Sequence, residues 1–359
     1  MRGVNWLGDA VMTTPALLRL RQKHPQAHLA LLTPEKLSDL WLHHPAIDEV
    51  IPFAEDQNVF AVAKKLRAGR FDVALVLPNS PRSALEVWLA GIPQRICYAR
   101  PWRNWLLTQA VAPRADAIRM QKRPVNEIKR LIAQAPGTGN PKPGIAATAH
   151  QMHEYLHLAA TLGASPEPLP PRLVVTPEEI DAVSKKFILA AVRRPVFGLN
   201  PCAQYGPAKR WPLEKFIAAA RDIQHRTGCT WLTFGGRADA AVGNRIESAI
   251  ASPPNAVFNL AGKTSLRELM ALLKVCRVLL TNDSGPMHVA AALGTPVIAP
   301  FGSTSPELTG PGLPEDPQHR PLKSDAPCSP CFLRECPIDY RCLNGISVER
   351  VVEAVLEIA

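Results

Sequence analysis

The chain has 359 residues, of which 47% are hydrophobic and 20% charged, and its 41 lysines and arginines against 31 aspartates and glutamates give a formal charge of +10. This length exceeds what one hydrophobic core usually organises, so we expect two domains, and the lack of any apolar run of about 18 residues predicts a soluble protein without a membrane span. The positive charge favours an anionic lipid or a phosphorylated sugar as partner; nucleic acid is disfavoured, because no basic stretch is interleaved with aromatic residues.

The chain opens on a polar, glycine-containing turn over residues 2–9 that has no signal-peptide character, so we expect a cytoplasmic protein. Such a turn normally follows a buried first strand. Its absence here indicates either a truncated start or a sheet that is built differently. The turn leads into an apolar-periodic helix that begins at Asp9. A carboxylate at this position either caps the helix by accepting backbone N–H bonds or takes a proton from an attacking hydroxyl.

Short, β-branched apolar runs alternate with amphipathic stretches along the chain, which predicts an α/β protein with parallel sheets. The predicted strands cover residues 27–32, 48–53, 71–78, 195–201, 230–236, 256–262, 278–283 and 296–302. A region rich in Pro and Gly between residues 134 and 180 separates the two sets of strands, so we place the domain boundary there. The resulting domains are an N-terminal domain over 1–165, a linker over 166–194, a C-terminal domain over 195–345 and a terminal helix over 346–359.

Two loops in the second half follow predicted strands and contain residues suited to a nucleotide. Lys209 lies in the segment 206–212, where a cation can neutralise a diphosphate; a solvated basic loop is the alternative. Asp239 stands three residues after Gly236, and an acid there can bind ribose hydroxyls while the glycines let the backbone approach the ligand. Taken by itself, this second pattern has low specificity.

The segment 281–288 (TNDSGPMH) joins a predicted buried strand to an apolar helix. In an α/β fold the free N–H groups at such a helix start, together with the helix dipole, bind phosphate. Asp283, Ser284 and Gly285 form the turn, and His288 lies one helical turn past Ser284 on the same face. The turn therefore either holds phosphate or only caps the helix, and His288 either reaches the phosphates or is satisfied within the helix.

Four of the eight cysteines lie close together in the sequence, namely Cys328, Cys331, Cys336 and Cys342. Four thiols suffice for a tetrahedral zinc site. The CxxC spacing occurs only once, however, and the other spacings differ from common zinc ribbons. We therefore favour a loop that is reduced or joined by disulfides, and expect neither a metal nor a cofactor.

Several stretches together resemble the ADP-heptose:lipopolysaccharide heptosyltransferases of glycosyltransferase family 9. They follow the family's order along the chain, as GVNWLGDAVMTTPAL, LPNS (77–80), GPAKRWP, FGGRADAAVGN, TNDSGPMHVAAALGTP and PCSPCFLRECPIDYRCLN. GPAKRWP and NDSGPMHVAAALG are the most specific of them. The chain departs from the family at its start, where family members have a strand of the form K-I-L-V before the turn.

The resemblance implies a GT-B fold, in which two Rossmann-like domains with parallel sheets face a central cleft, and a metal-independent, inverting transfer of heptose. It implies that Asp9 is the catalytic base and that Lys209 binds the donor phosphates. Further donor-binding residues are then Asp239, Thr264, Asp283, Ser284, Gly285 and His288, and acceptor-side residues are Asn5, Trp6, Gly8 and Asn79. The implied partners are an ADP-heptose donor and a lipopolysaccharide core acceptor at the inner membrane surface. We expect a monomer that is peripheral to this membrane.

Two other functions are compatible with the same residues. One is a different nucleotide-sugar enzyme on this fold, such as a UDP-sugar epimerase, which a transfer assay comparing ADP-heptose with UDP-sugars would identify. The other is a non-catalytic glycan-binding module, which would bind nucleotide or glycan without turnover.

Overall fold

The computed structural model describes residues 1–133, 145–187, 189, 194–250 and 256–359. The chain forms two compact units. The first comprises Met1–Ala117 and Gln151–Val174, and the second comprises Ile118–His150 and Val175–Ala359. The second unit therefore includes residues 118–150, which the sequence analysis assigned to the N-terminal domain.

Strands and helices alternate through both units. The strands are β1 (Ala30–Pro34), β2 (Glu49–Phe53), β3 (Val73–Leu75), β4 (Gln94–Tyr98), β5 (Gln109–Val111), β6 (Val196–Asn200), β7 (Thr230–Thr233), β8 (Val257–Asn259), β9 (Leu279–Thr281), β10 (Val297–Pro300) and β11 (His319–Leu322). The helices are α1 (Leu7–Met12), α2 (Thr14–Lys23), α3 (Val59–Ala68), α4 (Pro81–Leu89), α5 (Val125–Ala133), α6 (Met152–Ala160), α7 (Pro177–Lys186), α8 (Leu213–Thr227), α9 (Ala240–Ala249), α10 (Leu266–Val275), α11 (Gly285–Ala292), α12 (Pro306–Thr309), α13 (Arg341–Asn344) and α14 (Val348–Leu356).

In the first unit, β1 pairs with β2, and β4 lies between β3 and β5, all in parallel. The first residues of the chain lie between β1 and β3 and connect these two groups. Arg2 donates its N–H to the carbonyl of Leu75 at 2.9 Å, and Gly3 donates to the carbonyl of Leu32 at 2.9 Å. Residues 1–3 thus occupy the position of a first strand between β1 and β3.

A buried ion pair fixes this segment. Arg2 and Glu86 are 3% and 0% exposed, and Arg2 Nε donates to Glu86 Oε2 at 2.9 Å. Arg82 donates to the second carboxylate oxygen of Glu86 at 3.0 Å, and the Arg2 guanidinium lies 4.5 Å from the ring centre of Phe53. Burial lowers the pKa of Arg2, and the carboxylate of Glu86 opposes this shift.

The second unit contains one parallel sheet with the order β11-β10-β9-β6-β7-β8 in its described residues. The chain runs from the central strand β6 outward to β8 and then returns to β9 on the other side of β6. Ligands of such sheets bind at the carboxyl ends of the strands, where the order reverses. In this unit that point lies between β6 and β9.

Aromatic side chains fill the core between β6, β7 and α8. Phe197 packs edge-on against Trp231 at 5.6 Å, and Trp211 packs edge-on against Phe216 at 5.0 Å. The apolar face of α14 packs against α8, so the end of the chain belongs to the same core. Gly228 ends α8 in the left-handed region at φ 64°, a conformation that glycine adopts without strain.

All eight predicted strands are confirmed, each shorter than predicted or shifted by a few residues. Three strands were missed. β5 and β11 are edge strands with mixed polar sequences, and β4 begins with two polar residues. The helix predicted from Asp9 is divided into α1 and α2, because Pro15 in the first turn of α2 lacks the N–H that a continuous helix requires.

Part of the predicted interdomain region lies outside the described residues, namely the Pro- and Gly-rich segment 135–144 and residues 188 and 190–193 of the predicted linker. The proposed domain limits therefore stay a prediction.

None of the helices in the described ranges has both the length and the apolar character needed to span a bilayer.

Replacing Glu86 by alanine should lower the free energy of unfolding by about 3 kcal/mol or more, because it leaves the buried guanidinium of Arg2 without a counter-charge. Glu214→Ala is the matched control, since Glu214 pairs with Arg245 at the exposed surface and such pairs contribute at most about 1 kcal/mol. Urea unfolding followed by circular dichroism measures both variants. Equal losses in the two would show that the buried pair does not stabilise the first unit.

Candidate functional site

A cluster of polar residues in the second unit lies at the carboxyl ends of β6, β9 and β10. Lys209, in the 3-10 turn Pro207–Lys209 after β6, places its Nζ 2.6 Å from Oδ2 of Asp283, which follows β9. Thr304, after β10, donates its hydroxyl to the same oxygen of Asp283. Asp283 is only 3% exposed. An ammonium has three N–H donors, so the pair with Asp283 orients Lys209 and leaves it able to bind a second anion.

Two buried asparagines hold the loops of this cluster together. Asn200, at the end of β6, donates from Nδ2 to the hydroxyl of Ser284 at 3.1 Å. Asn282 accepts the backbone N–H of Trp211 at 2.9 Å. Both side chains connect the loop after β6 to the loop after β9. The position of Lys209 relative to Asp283 is therefore set by the backbone as well as by the ion pair.

The backbone N–H groups at the start of α11 are not capped by a serine side chain, so they can bind an anion. Ser284 is the N-cap residue, yet its side chain does not cap a helix N–H; it bonds to Asn200 instead. Gly285 is the first residue of the helix, and no Cβ covers the backbone there. The first-turn N–H groups of α11 therefore lack the serine cap that usually competes with phosphate.

His288 lies in the second half of the first turn of α11 and is 5% exposed. Burial lowers its pKa to about 4; the nearby carboxylate of Asp283 opposes this shift, while His150, Lys209 and His319 add to it. The imidazole is therefore neutral at pH 7. A neutral ring can donate one hydrogen bond to a phosphate but adds no charge.

Asp239 and Thr264 lie in the loops after β7 and β8. Asp239 accepts the N–H of Gly236 at 2.9 Å, and its Cβ would be 2.8 Å from a Cβ at position 235, so Gly235 is required for this close approach. Burial raises the pKa of Cys202 to about 12, and the contact with the carboxylate of Asp239 adds to the shift. Thr264 is half-buried, directly before the N-cap Ser265 of α10.

In the first unit, Asp9 is the third residue of α1, whose N-cap residue is Trp6. The helix thus begins before Asp9. Gln151 lies between Asp9 and Tyr155: its Nε2 is 3.4 Å from Asp9 Oδ1 and 2.8 Å from the hydroxyl of Tyr155. Burial, with the charge of Asp9 as the next cause, raises the pKa of Tyr155 well above its usual value. The Gln151 amide therefore orients the half-buried carboxylate.

The remaining acceptor-side residues lie in the same turn and in the loop after β3. Asn5 accepts from Arg2 Nη1 at 3.1 Å, Trp6 is 50% exposed, and Gly8 is half-buried. Asn79 is exposed and accepts from Arg103 Nη2 at 2.9 Å. Because residues 1–3 lie beside β3, both loops leave the sheet at the same edge.

Three of the four clustered cysteines are buried, and Cys336 is half-buried. All eight cysteines are free thiols, and among the described residues no three His, Cys, Asp or Glu side chains are placed to hold a metal ion. Cys328 and Cys331 pack with Ile128 in a small apolar cluster. Burial raises the pKa of Cys342 to about 12, and the neighbouring thiols of Cys328, Cys331 and Cys336 add to the shift.

Sequence reasoning missed the residues that position the others. Thr304 lies in the polar run FGSTS after a predicted strand, which is a usable signal. Asn200 ends a predicted strand and was likewise accessible from the sequence. Gln151 has no such signal, because it stands 142 positions from Asp9 in a segment that reads only as an amphipathic helix.

The chain is similar to known proteins over nearly its whole length. Residues 59–341 match glycosyltransferase family 9 (heptosyltransferase). Identity to lipopolysaccharide heptosyltransferase 2 of Salmonella typhimurium is 32% over 317 residues, which cover 86% of this chain and 84% of that protein. Identity to lipooligosaccharide heptosyltransferase 2 of Campylobacter jejuni serotype O:2 is 33%, covering 97% and 94%. Among solved structures, Escherichia coli ADP-heptose lipopolysaccharide heptosyltransferase II has a TM-score of 0.78 and 28% identity, covering 99% and 97%.

Lowering the pH should destabilise the protein through His288. Because its pKa of about 4 lies below the 6.5 of an unfolded chain, the unfolded state binds more protons between these values. The contribution of His288 to the free energy of unfolding is fully present above pH 6.5. It decreases as the pH falls, and about 3 kcal/mol is lost at pH 4. The free energy of unfolding of His288→Gln should vary less with pH across this window than that of the parent. His225→Gln, exposed on α8, is the control; equal pH dependence in all three proteins would refute the assignment.

Proposed function

Since the chain belongs to glycosyltransferase family 9 and is a glycosyltransferase, we propose that it transfers L-glycero-D-manno-heptose from ADP-heptose to the heptose of the lipopolysaccharide inner core. The resemblance seen in the sequence and the α/β fold of the GT-B class are confirmed. The two relatives described above are named heptosyltransferase 2, and the solved Escherichia coli protein is named for ADP-heptose. This membership favours transfer over the epimerase and the non-catalytic glycan-binding module.

The observation that supports donor binding most directly is the cluster of Lys209, Asp283 and Thr304 beside the start of α11. A departing diphosphate gains negative charge in the transition state, and a fixed cation with open backbone N–H groups stabilises it without a metal. Asp283 acts on Lys209 and leaves the phosphates to the ammonium and to the N–H groups of α11. Asp239 and Thr264, in the next loops along the same edge, are the proposed contacts to the ribose and the adenine.

On the acceptor side we assign the base to Asp9. Its carboxylate, oriented by Gln151, takes the proton from a heptose hydroxyl, and the hydroxyl oxygen attacks the anomeric carbon from the face opposite ADP. The bond to the diphosphate breaks as the new glycosidic bond forms, so the configuration is inverted. Asn5, Trp6, Gly8 and Asn79 lie at the same edge of the first sheet as Asp9 and are the proposed acceptor contacts.

We place the protein as a monomer at the cytoplasmic face of the inner membrane, because the acceptor is a membrane lipid. The formal charge of +10 is compatible with an anionic surface.

Changing Asp9 to Asn should reduce transfer at least about 100-fold, because the amide cannot accept a proton, while ADP binding is unchanged. Transfer is measured with ADP-heptose and heptose-bearing core oligosaccharides of different lengths, and ADP binding by calorimetry. Asp222→Asn, in an exposed ion pair on α8, is the control. Turnover near that of the parent in Asp9→Asn would return Asp9 to a structural role.

Lys209→Ala and Asp283→Ala should each weaken ADP binding by about tenfold or more, since a hydrogen bond involving a charged group contributes about 1.5–3 kcal/mol. The double variant should be little worse than either single one, because the two side chains act as a pair. Lys215→Ala is the control, since Lys215 donates to the backbone carbonyls of Asn344 and Ile346. Calorimetry with ADP and with acceptor measures each site; fully additive losses, or parental ADP affinity, would contradict the pairing.

A further inference from the structure

The first unit exposes an aromatic surface that the proposed reaction does not use. Trp102 and Trp105 are 83% and 68% exposed, and Trp88 is 42% exposed. Trp88 and Trp105 pack edge-on with ring centres 5.9 Å apart, which joins the end of α4 to the loop after β4. We call Trp88, Trp102 and Trp105 the tryptophan surface.

The loop that presents these rings is anchored from inside. Arg103, between the two most exposed tryptophans, is 1% exposed and donates to the carbonyls of Tyr98 at 2.7 Å and Pro78 at 2.8 Å. Asn104 accepts the N–H of Arg100 at 2.7 Å. These hydrogen bonds fix the backbone of the loop. The exposed position of the tryptophans is therefore set by the fold.

Cations outnumber acids in the segments that carry this surface. Between residues 59 and 110 the chain has eight lysines and arginines and two acids; Asp72 is exposed, and Glu86 is buried against Arg2. Arg67 is exposed at the end of α3 and donates to the carbonyl of Leu89, the residue after Trp88, at 2.6 Å. Phe60, which is 70% exposed, and Lys64 lie on the same face of α3 as Arg67.

We propose that the tryptophan surface, with the cations of α3, docks the protein on a bilayer that contains anionic phospholipids. Tryptophan prefers the membrane–water interface, where its ring is apolar and its N–H remains wet. Lysine and arginine beside such a surface are attracted by the lipid phosphates. A face that combines both residue types and has more cations than acids is complementary to this partner in charge and in polarity.

This docking rests on the proposed function in one respect, namely that the enzyme must reach an acceptor that is anchored in a bilayer. The surface itself includes none of the residues assigned to donor or acceptor. Binding to vesicles is therefore measured without either substrate, and it can fail or succeed independently of the transfer reaction.

The test is co-sedimentation of the full chain with vesicles of phosphatidylcholine alone or mixed with phosphatidylglycerol. We expect binding to the mixed vesicles only, weakened by salt. Trp102→Ala/Trp105→Ala should reduce the partition coefficient at least about tenfold through lost apolar contact, and Arg67→Gln about fivefold through one lost charge. The matched control is Arg221→Gln on α8, since Arg221 is also exposed and bonds to a last-turn carbonyl, that of Ala249.

Transfer to a water-soluble core oligosaccharide should be the same in the double tryptophan variant and the parent. Transfer to the lipid-linked acceptor in vesicles should fall with binding. Parental vesicle binding by the tryptophan and Arg67 variants would overturn the proposal, as would equal binding to vesicles without anionic lipid. A parent that self-associates in sedimentation velocity, with a monomeric tryptophan variant, would overturn it too by assigning the surface to a second copy of the chain.

Discussion

Parallel pairing of strands is the constraint on which both candidate sites depend. In a parallel sheet every strand ends at the same edge, so loops far apart in the sequence meet there. Lys209, Asp283 and Thr304 are brought together in this way, because β6, β9 and β10 are neighbours in the sheet. In the first unit the same geometry places Asp9 and Asn79 at one edge, although only three residues fill the position of the strand that precedes Asp9.

Both units surround their buried charges with partners. Asp283 is bonded to Lys209 and Thr304, and Glu86 to Arg2 and Arg82. A charge that leaves water loses several kcal/mol of solvation, and only well-placed partners offset this loss. The buried carboxylates and their cations are therefore held in fixed positions. A site that stabilises the charge developing in a transition state needs such fixed groups. The ion pair between Arg2 and Glu86 in the first unit has another role, because it fixes the backbone at the start of the turn that leads to Asp9.

The elements with strong local patterns were accessible from the sequence. The buried strands and the turn at 281–288 combine apolar runs with Gly, Ser and Asp at positions where helices begin, and these signals are local. β5 and β11 were missed because an edge strand has one neighbour and tolerates polar residues. The pairing of Lys209 with Asp283 and the contact of Gln151 with Asp9 depend on the order of strands and on helix docking, which no local pattern encodes. The packing of Ile128 with Cys328 and Cys331 is likewise a contact between distant parts of the chain, which no local pattern encodes.

The chain leaves the first unit at residue 117 and returns at residue 151. This has a consequence for synthesis on the ribosome, where the N-terminal part of a protein emerges first. The strands of the first unit are complete early, but α6, which packs against α2, and the Gln151 amide that orients Asp9 emerge later. Until then the apolar face of α2 that α6 covers is exposed to solvent. The carboxylate assigned as the base thus receives its orienting partner only after residues of the second unit have begun to emerge, so the early chain has its sheet before it has a competent site.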